Sequence, residues 1–205
     1  MPFVFLDPGP LIDDELRLIA PQPAWIDEVL RSASHPLTVA SEPVEANTNR
    51  QKLLDFLRAA PAGRQPGDAS TGRVPAYHFW LLADEPVGNP PIRIVGAIGM
   101  RIGTTPEIEM FSGNIGYHVY PAARGRRFAE RACRLVLPLV CRHGLDRIWI
   151  ICNPDNIASR RTCERLGARL IDVVTIPKDH PFRSRGETAK CRYLIDLSQP
   201  IRNGE

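Results

Sequence analysis

A chain of 205 residues has the length of one α/β domain, or of one domain carrying an insertion. Hydrophobic residues at 43%, charged residues at 24% and a mean hydropathy of -0.18 exclude a disordered or collagen-like chain, and no apolar run approaches the ~18 residues of a membrane span. The net charge of +3 is too small to argue for nucleic acid, but it is unevenly placed: residues 121–170 hold 11 arginines against four acidic residues, +7, and the remainder sums to -4.

The opening MPFVFLDPGP has four consecutive apolar residues after Pro2 and lacks the basic start and long apolar stretch of a secretory signal. A cytoplasmic location is the expectation. Cys133, Cys141, Cys152, Cys163 and Cys191 form no CxxC pair and no zinc spacing with a histidine, so reduced thiols and no metal are expected.

In chain order, Leu16 to Ala20 reads as a strand, and Trp25, Val29 and Leu30 recur at helical spacing after Pro23. A second helix is predicted from Val44 to Ala60, its stripe formed by Leu53, Phe56, Leu57 and Ala60, with Pro61 as the stop. Residues 61–75, rich in proline and glycine, predict a long surface loop. Tyr77 to Ala83 and Ile92 to Ile102 predict an antiparallel hairpin. Tyr77, Phe79 and Trp80 fit either sheet core or the wall of a pocket.

Asn114 to Tyr120, NIGYHVY, reads as a strand with Ile115, Tyr117 and Val119 on one face and Gly116, His118 and Tyr120 on the other. A helix follows from Arg124 to about Arg142, closed by His143 and Gly144, with Pro138 expected to kink its last turns. Arg147 to Cys152 is a short buried strand predicted to lie parallel to NIGYHVY through a right-handed connection. Asn153 to Gly167 reads as a turn and a helix with Ile157, Cys163 and Leu166 as apolar positions; Ala168 to Ile176 and Cys191 to Leu197 are the last strands.

The informative stretch is GNIGYHVYPAARGRRFAERACRLVLPLV, a strand and proline turn followed by a glycine- and arginine-rich helix entry. The first turn of a helix offers unpaired N–H groups and the positive end of its dipole, so main chain alone can hold a phosphate there. Gly125 permits close backbone approach, and Arg124, Arg126 and Arg127 add charge. By themselves these arginines equally fit a solvated helix end.

With this context the chain resembles the GCN5-related N-acetyltransferase (GNAT) superfamily, whose signature Q/R-x-x-G-x-G/A corresponds to Arg124, Gly125, Arg126, Arg127, Phe128 and Ala129. Arg127 replaces the usual glycine. The stretch IICNPDNIASRRTCERLGA is similar to the family's next strand, asparagine and short helix, and the phrasing looks most like a subgroup of predicted bacterial acetyltransferases.

The resemblance implies an α/β fold with a mixed, mostly antiparallel central sheet flanked by helices and a parallel strand-helix-strand site for coenzyme A. Residues 1–205 would form a single acetyltransferase-like domain: 1–75 acceptor-side helices and loop, 76–176 an acyl-coenzyme A-binding core, 177–205 a loop, last strand and tail. Tyr117, His118 and Val119 would run beside pantetheine and the acyl group, Arg124 to Ala129 would hold the diphosphate, and Asn156 would contact the coenzyme arm. Cys163 stands where the family often has a tyrosine that protonates the departing thiolate. In this fold the segment Pro177 to Lys190 can border the acceptor site.

The implied reaction is direct attack of a primary amine of a small molecule or protein on acetyl-CoA in a ternary complex, without metal, nucleic acid or membrane partner. An unpaired N–H near Val119 would meet the oxyanion. Glu107, Glu109 and His118 are candidates for the base and Cys163 for the acid. Taken singly, such residues are more often solvated turn glutamates, a satisfied histidine and a buried thiol on the core face of its helix. Homodimers are common in such families. A non-catalytic acyl-CoA-binding sensor or interaction module is the alternative.

Overall fold

The computed structural model describes residues 3–198; the tail expected after Leu197 falls mostly outside them. The strands are β1 (Ile12–Asp13), β2 (Leu16–Ile19), β3 (Arg64–Gln65), β4 (Ala76–Val87), β5 (Ile92–Arg101), β6 (Ile115–Val119), β7 (Arg147–Cys152), β8 (Arg169–Thr175) and β9 (Ala189–Asp196). They form one sheet in the order β1-β2-β4-β5-β6-β7-β9-β8, with β3 added to β4. Every pairing is antiparallel except β6 with β7.

Helices α1 (Ile26–Ala33), α2 (Pro36–Ser41), α3 (Pro43–Ala46) and α4 (Arg50–Ala59) precede the long hairpin; α5 (Phe128–Arg142) and α6 (Ile157–Arg165) follow β6 and β7. Sheet alternation sends Tyr77, Ile98, Met100 and Ile115 to one face, where they are almost wholly buried and where the Tyr77 hydroxyl meets His143 Nε2 at 2.8 Å, at the end of α5. The other face carries His78, Trp80, Ala97, Gly99, Gly116 and His118; α4 stands over it, its Phe56 ring 5.3 Å from that of His78. The two layers of side chains that the periodicity requires are thus covered by helices from opposite ends of the chain.

Several sequence expectations are corrected. The helix expected over Val44 to Ala60 is broken: α2 and α3 each begin at a proline, and Asn49 caps α4 by accepting the Lys52 N–H at 2.9 Å. The loop at 61–75 contains β3, and a π-helical turn, Ile108–Ser112, lies before β6. Ile157 is 49% exposed rather than a core position. Helix α5 runs unbroken through Pro138, and it starts at Phe128, leaving residues 124–127 as a loop.

The strand pair β6–β7 positions the site. Only Ile115 and Ile150 are in register, after which the two strands diverge. Asn114 marks the divergence: fully buried, it donates from Nδ2 to the carbonyls of Gly103 (2.9 Å) and Arg101 (3.3 Å), and its Oδ1 accepts the Trp149 N–H (2.9 Å). Because Arg101 N–H bonds Asn114 O and Tyr120 N–H bonds Val95 O, the even-numbered residues of β6 turn their backbone to β5. The N–H and C=O groups of Tyr117 and Val119 therefore face the gap on the β7 side.

Candidate active site

A cleft of about 800 Å³ occupies this gap. Tyr117, His118 and Val119 line one wall, Arg124, Gly125, Arg127, Phe128 and Ala129 its entrance, and Asn156 the start of α6. The structure thus gathers every residue expected to touch the donor except Arg126, which is exposed and lines no cleft.

Among the described residues the entrance presents hydrogen-bond donors without partners. The first helical bond of α5 runs from Arg131 N–H to Arg127 O, and no side chain caps the helix, so the N–H groups of Phe128, Ala129 and Glu130 have no intrahelical acceptor. Gly125 has φ +88 and open space beyond its Cα, so glycine is required by the dihedral rather than by a close neighbour. Arg127 adopts φ 56, ψ 24, the left-handed conformation. That is the physical reason for glycine in the signature, and here an arginine holds the strained position.

Helix α6 adds what the sequence reading passed over. Arg161 and Arg165, one turn apart, face the same cleft, and among the described residues neither they nor Arg127 have a carboxylate within 4 Å. The signal was present in the sequence as an i, i+4 arginine pair after the asparagine. Arg124 is engaged: its Nε donates to Val119 O at 3.1 Å and its terminal nitrogen pairs with Glu42 at 2.5 Å, fastening the α2–α3 junction to the cradle. Asn156 Oδ1 caps α6 through the Ser159 N–H at 3.0 Å. Ser159 also lines the cleft, its hydroxyl 2.9 Å from that of Tyr117.

A second cleft of about 730 Å³ lies over the other face of β4, β5 and β6, walled by Trp80, His78, Phe56 and Glu45. It shares Tyr117 and His118 with the first, so the two meet at the middle of β6. His118 Nε2 is buried without a hydrogen-bond partner, and burial pushes its pKa down to about 4 despite the attraction of Glu42. At neutral pH this imidazole is uncharged.

Glu45 is a further residue that the sequence did not single out. Burial, reinforced by the Glu42 carboxyl beside it, raises its pKa above the usual glutamate value, and its charge also contributes to a Tyr120 pKa pushed up to about 12. Of the residues considered for proton transfer, Glu107 lines the second cleft, where it bonds Ser112 and His180; Glu109 lines neither cleft, and its carbonyl accepts from Arg192. Cys163 is completely buried beside Cys152, and that neighbouring thiol and burial both raise its pKa. Among the described residues no cluster of three metal-ligating side chains forms, and no helix is long and apolar enough to cross a membrane.

A parallel strand pair that splays, with an uncapped helix N-terminus at its mouth, is the arrangement that the family resemblance implied. The family model of the acetyltransferase (GNAT) domain matches residues 15–169, and the chain belongs to that family of N-acetyltransferases. No curated protein sequence matches. Similar solved structures include the microcin C7 self-immunity acetyltransferase MccE in complex with acetyl-CoA and AMP (17% identity, 90% of this chain and 93% of that one, TM-score 0.64). Others are RimL, a ribosomal L7/L12 alpha-N-protein acetyltransferase in complex with coenzyme A (13%, 92% and 98%, 0.64), and a GNAT-family acetyltransferase from Bacillus anthracis (16%, 93% and 99%, 0.61).

Proposed function

We propose that the protein transfers an acetyl group from acetyl-CoA to a primary amine by direct attack in a ternary complex. The observation that carries this reading is the meeting of the two clefts at Tyr117 and His118: one has an anion-binding mouth, and the other is open to a second substrate. The diphosphate sits on the free N–H groups at the start of α5, with Arg127, Arg161 and Arg165 around it. The thioester lies along β6, where the outward N–H of Val119 meets the oxyanion.

For proton removal the energetics favour Glu45 over His118. A base with a pKa near 4 is protonated too weakly to accept from an amine at neutral pH, whereas a glutamate raised by burial moves toward the working range. Burial raises the Tyr117 phenol above its ordinary pKa, so the Tyr117–Ser159 hydroxyl pair stays neutral and serves the departing thiolate as a hydrogen-bond donor. Glu109 and Cys163, away from both clefts, act in neither step.

The test is calorimetry of acetyl-CoA with wild type and Gly125→Asp, which places a carboxylate in the cradle. Micromolar-range binding to wild type, weakened at least about tenfold in the variant, is expected for the loss of even one charge-assisted contact. Wild-type protein that binds no acetyl-CoA overturns the donor assignment. Binding without transfer to any amine in a broad screen overturns catalysis and leaves an acyl-CoA sensor.

A further inference from the structure

The second cleft is electrically polarised along the sheet. Glu45 stands at its His118 and Tyr120 end. At the far end of β5 is Arg101, four residues from Ala97, which lies opposite His118. At about 3.4 Å per strand residue, this places a cation about 14 Å from the reacting end, and an anion in hydrogen-bond contact with it, about 3 Å short, on the order of 10 Å away.

Arg101 is half-buried, and desolvation lowers its pKa. Among the described residues one terminal nitrogen is used, donating to the carbonyls of Gly113 (3.0 Å) and Ser112 (3.4 Å). Among the described residues it has no carboxylate within 4 Å. Glu107, the nearby acid, is occupied by Ser112 Oγ and by His180 Nε2. Arg73, also in the cleft, is paired with Asp68 at 3.7 Å. A guanidinium taken partly out of water with no carboxylate in direct contact carries a desolvation cost that Glu107 offsets only at a distance and that an arriving anion would offset further.

The floor between the two ends is covered by the His78 ring at Gly99 and open at Gly116. Gly99 and Gly116 face each other there; Gly116 is exposed, and a Cβ on it would meet nothing within 4 Å. Past Arg101 the cleft borders a third cavity of about 570 Å³, lined by the π-helical turn before β6 and by the segment between β8 and β9, where Arg185 and Lys190 of β9 come to the same end. Lys190 is paired with Glu187; Arg185 has no carboxylate within 4 Å among the described residues.

We infer that the acceptor is a small zwitterion, with its amine directed to Glu45 and His118 and an anionic group, carboxylate or phosphate, on the order of 10 Å away against Arg101. This rests on the transferase reading above. The amine end is attracted by a carboxylate and the anionic end by an unpaired guanidinium, so orientation and selectivity come from one cleft.

The probes are triglycine, about 10 Å long when extended, against triglycinamide, and 6-aminohexyl phosphate against 6-aminohexanol, with glycine as a carboxylate too close to its amine. Acetylation by mass spectrometry and calorimetric binding to coenzyme A-loaded protein are read for each. At least one anionic member is expected to exceed its neutral partner in kcat/KM by about tenfold to a hundredfold, the range of one charge-assisted pair. Whether triglycine or the phosphate gains more separates a carboxylate from a phosphate site. Arg101→Met is expected to erase that advantage through KM, leaving the neutral partner's rate and acetyl-CoA binding unchanged, and Arg101→Lys to restore part of it.

Equal use of charged and neutral partners overturns the inference, as does an Arg101→Met effect equal on both. If acetyl-CoA binds but no anionic probe binds or reacts, the inference also falls while the donor assignment stands. Loss of acetyl-CoA binding in wild type would instead refute the underlying transferase reading.

Discussion

Replacing Arg127 separates backbone strain from charge. At φ 56, ψ 24 an L-residue sits in the left-handed region, at a cost of roughly 1–2 kcal/mol, and no side-chain cap is lost on substitution. Glycine removes that cost but adds about 0.4–1 kcal/mol of unfolded-chain entropy relative to alanine. Arg127→Gly is therefore expected to be more stable than Arg127→Ala by up to about 1.6 kcal/mol, or ~3–6 °C in Tm for a chain of this size. Both variants lose the same guanidinium from the donor cleft and should bind acetyl-CoA about tenfold to a hundredfold more weakly. Differential scanning calorimetry and titration calorimetry on the same samples read the two effects. A glycine variant no more stable than the alanine variant would refute the strain argument. Unchanged affinity in both would refute the role of the side chain at the cradle.

Glu45→Gln should abolish the acidic limb of the rate profile, because activity needs the carboxylate and so rises as pH passes its pKa, held above 4.5 by burial; stopped-flow kcat against pH checks this, and an unchanged limb excludes Glu45 as base. His118 binds its proton at about 4 in the folded protein and near 6.5 when unfolded, so the unfolded chain takes up more protons between those values and stability falls as pH drops through the window, by at most about 3 kcal/mol. His118→Gln should flatten that part of the Tm against pH curve; equal slopes would show that the histidine is not held neutral. Asn114→Ala strips partners from two carbonyls and one N–H where β6 and β7 part, and should cost about 3 kcal/mol or more by urea denaturation. A loss under 1 kcal/mol would mean that water replaces the side chain.

Where the chain carries strong local signals, sequence and structure coincide. The alternation of NIGYHVY fixed which side chains share a face, RIWIIC was bounded to the residue, and the mouth of the donor cleft followed from a helix entry rich in glycine and arginine. Local periodicity failed where short-range capping competed with it, as at the proline starts of α2 and α3 and the Asn49 cap. It also overextended α5 by four residues, since the positive φ values at Gly125 and Arg127 that end the loop leave no trace in hydrophobic spacing.

The acid-base and acceptor groups were the least legible. Glu109 is a candidate by its position just before β6 in sequence, but its π-helical turn puts it outside both clefts, while Glu45, 73 residues before His118, is brought to the same end by α3. The sequence by itself determined the strand and the helix entry proposed as the anion cradle, because backbone N–H groups at a helix start need only neighbouring residues to exist. Which carboxylate is raised, which arginine is left without a counter-ion and where two clefts meet were decided by the tertiary structure alone, because burial and Coulomb interaction depend on distance through space.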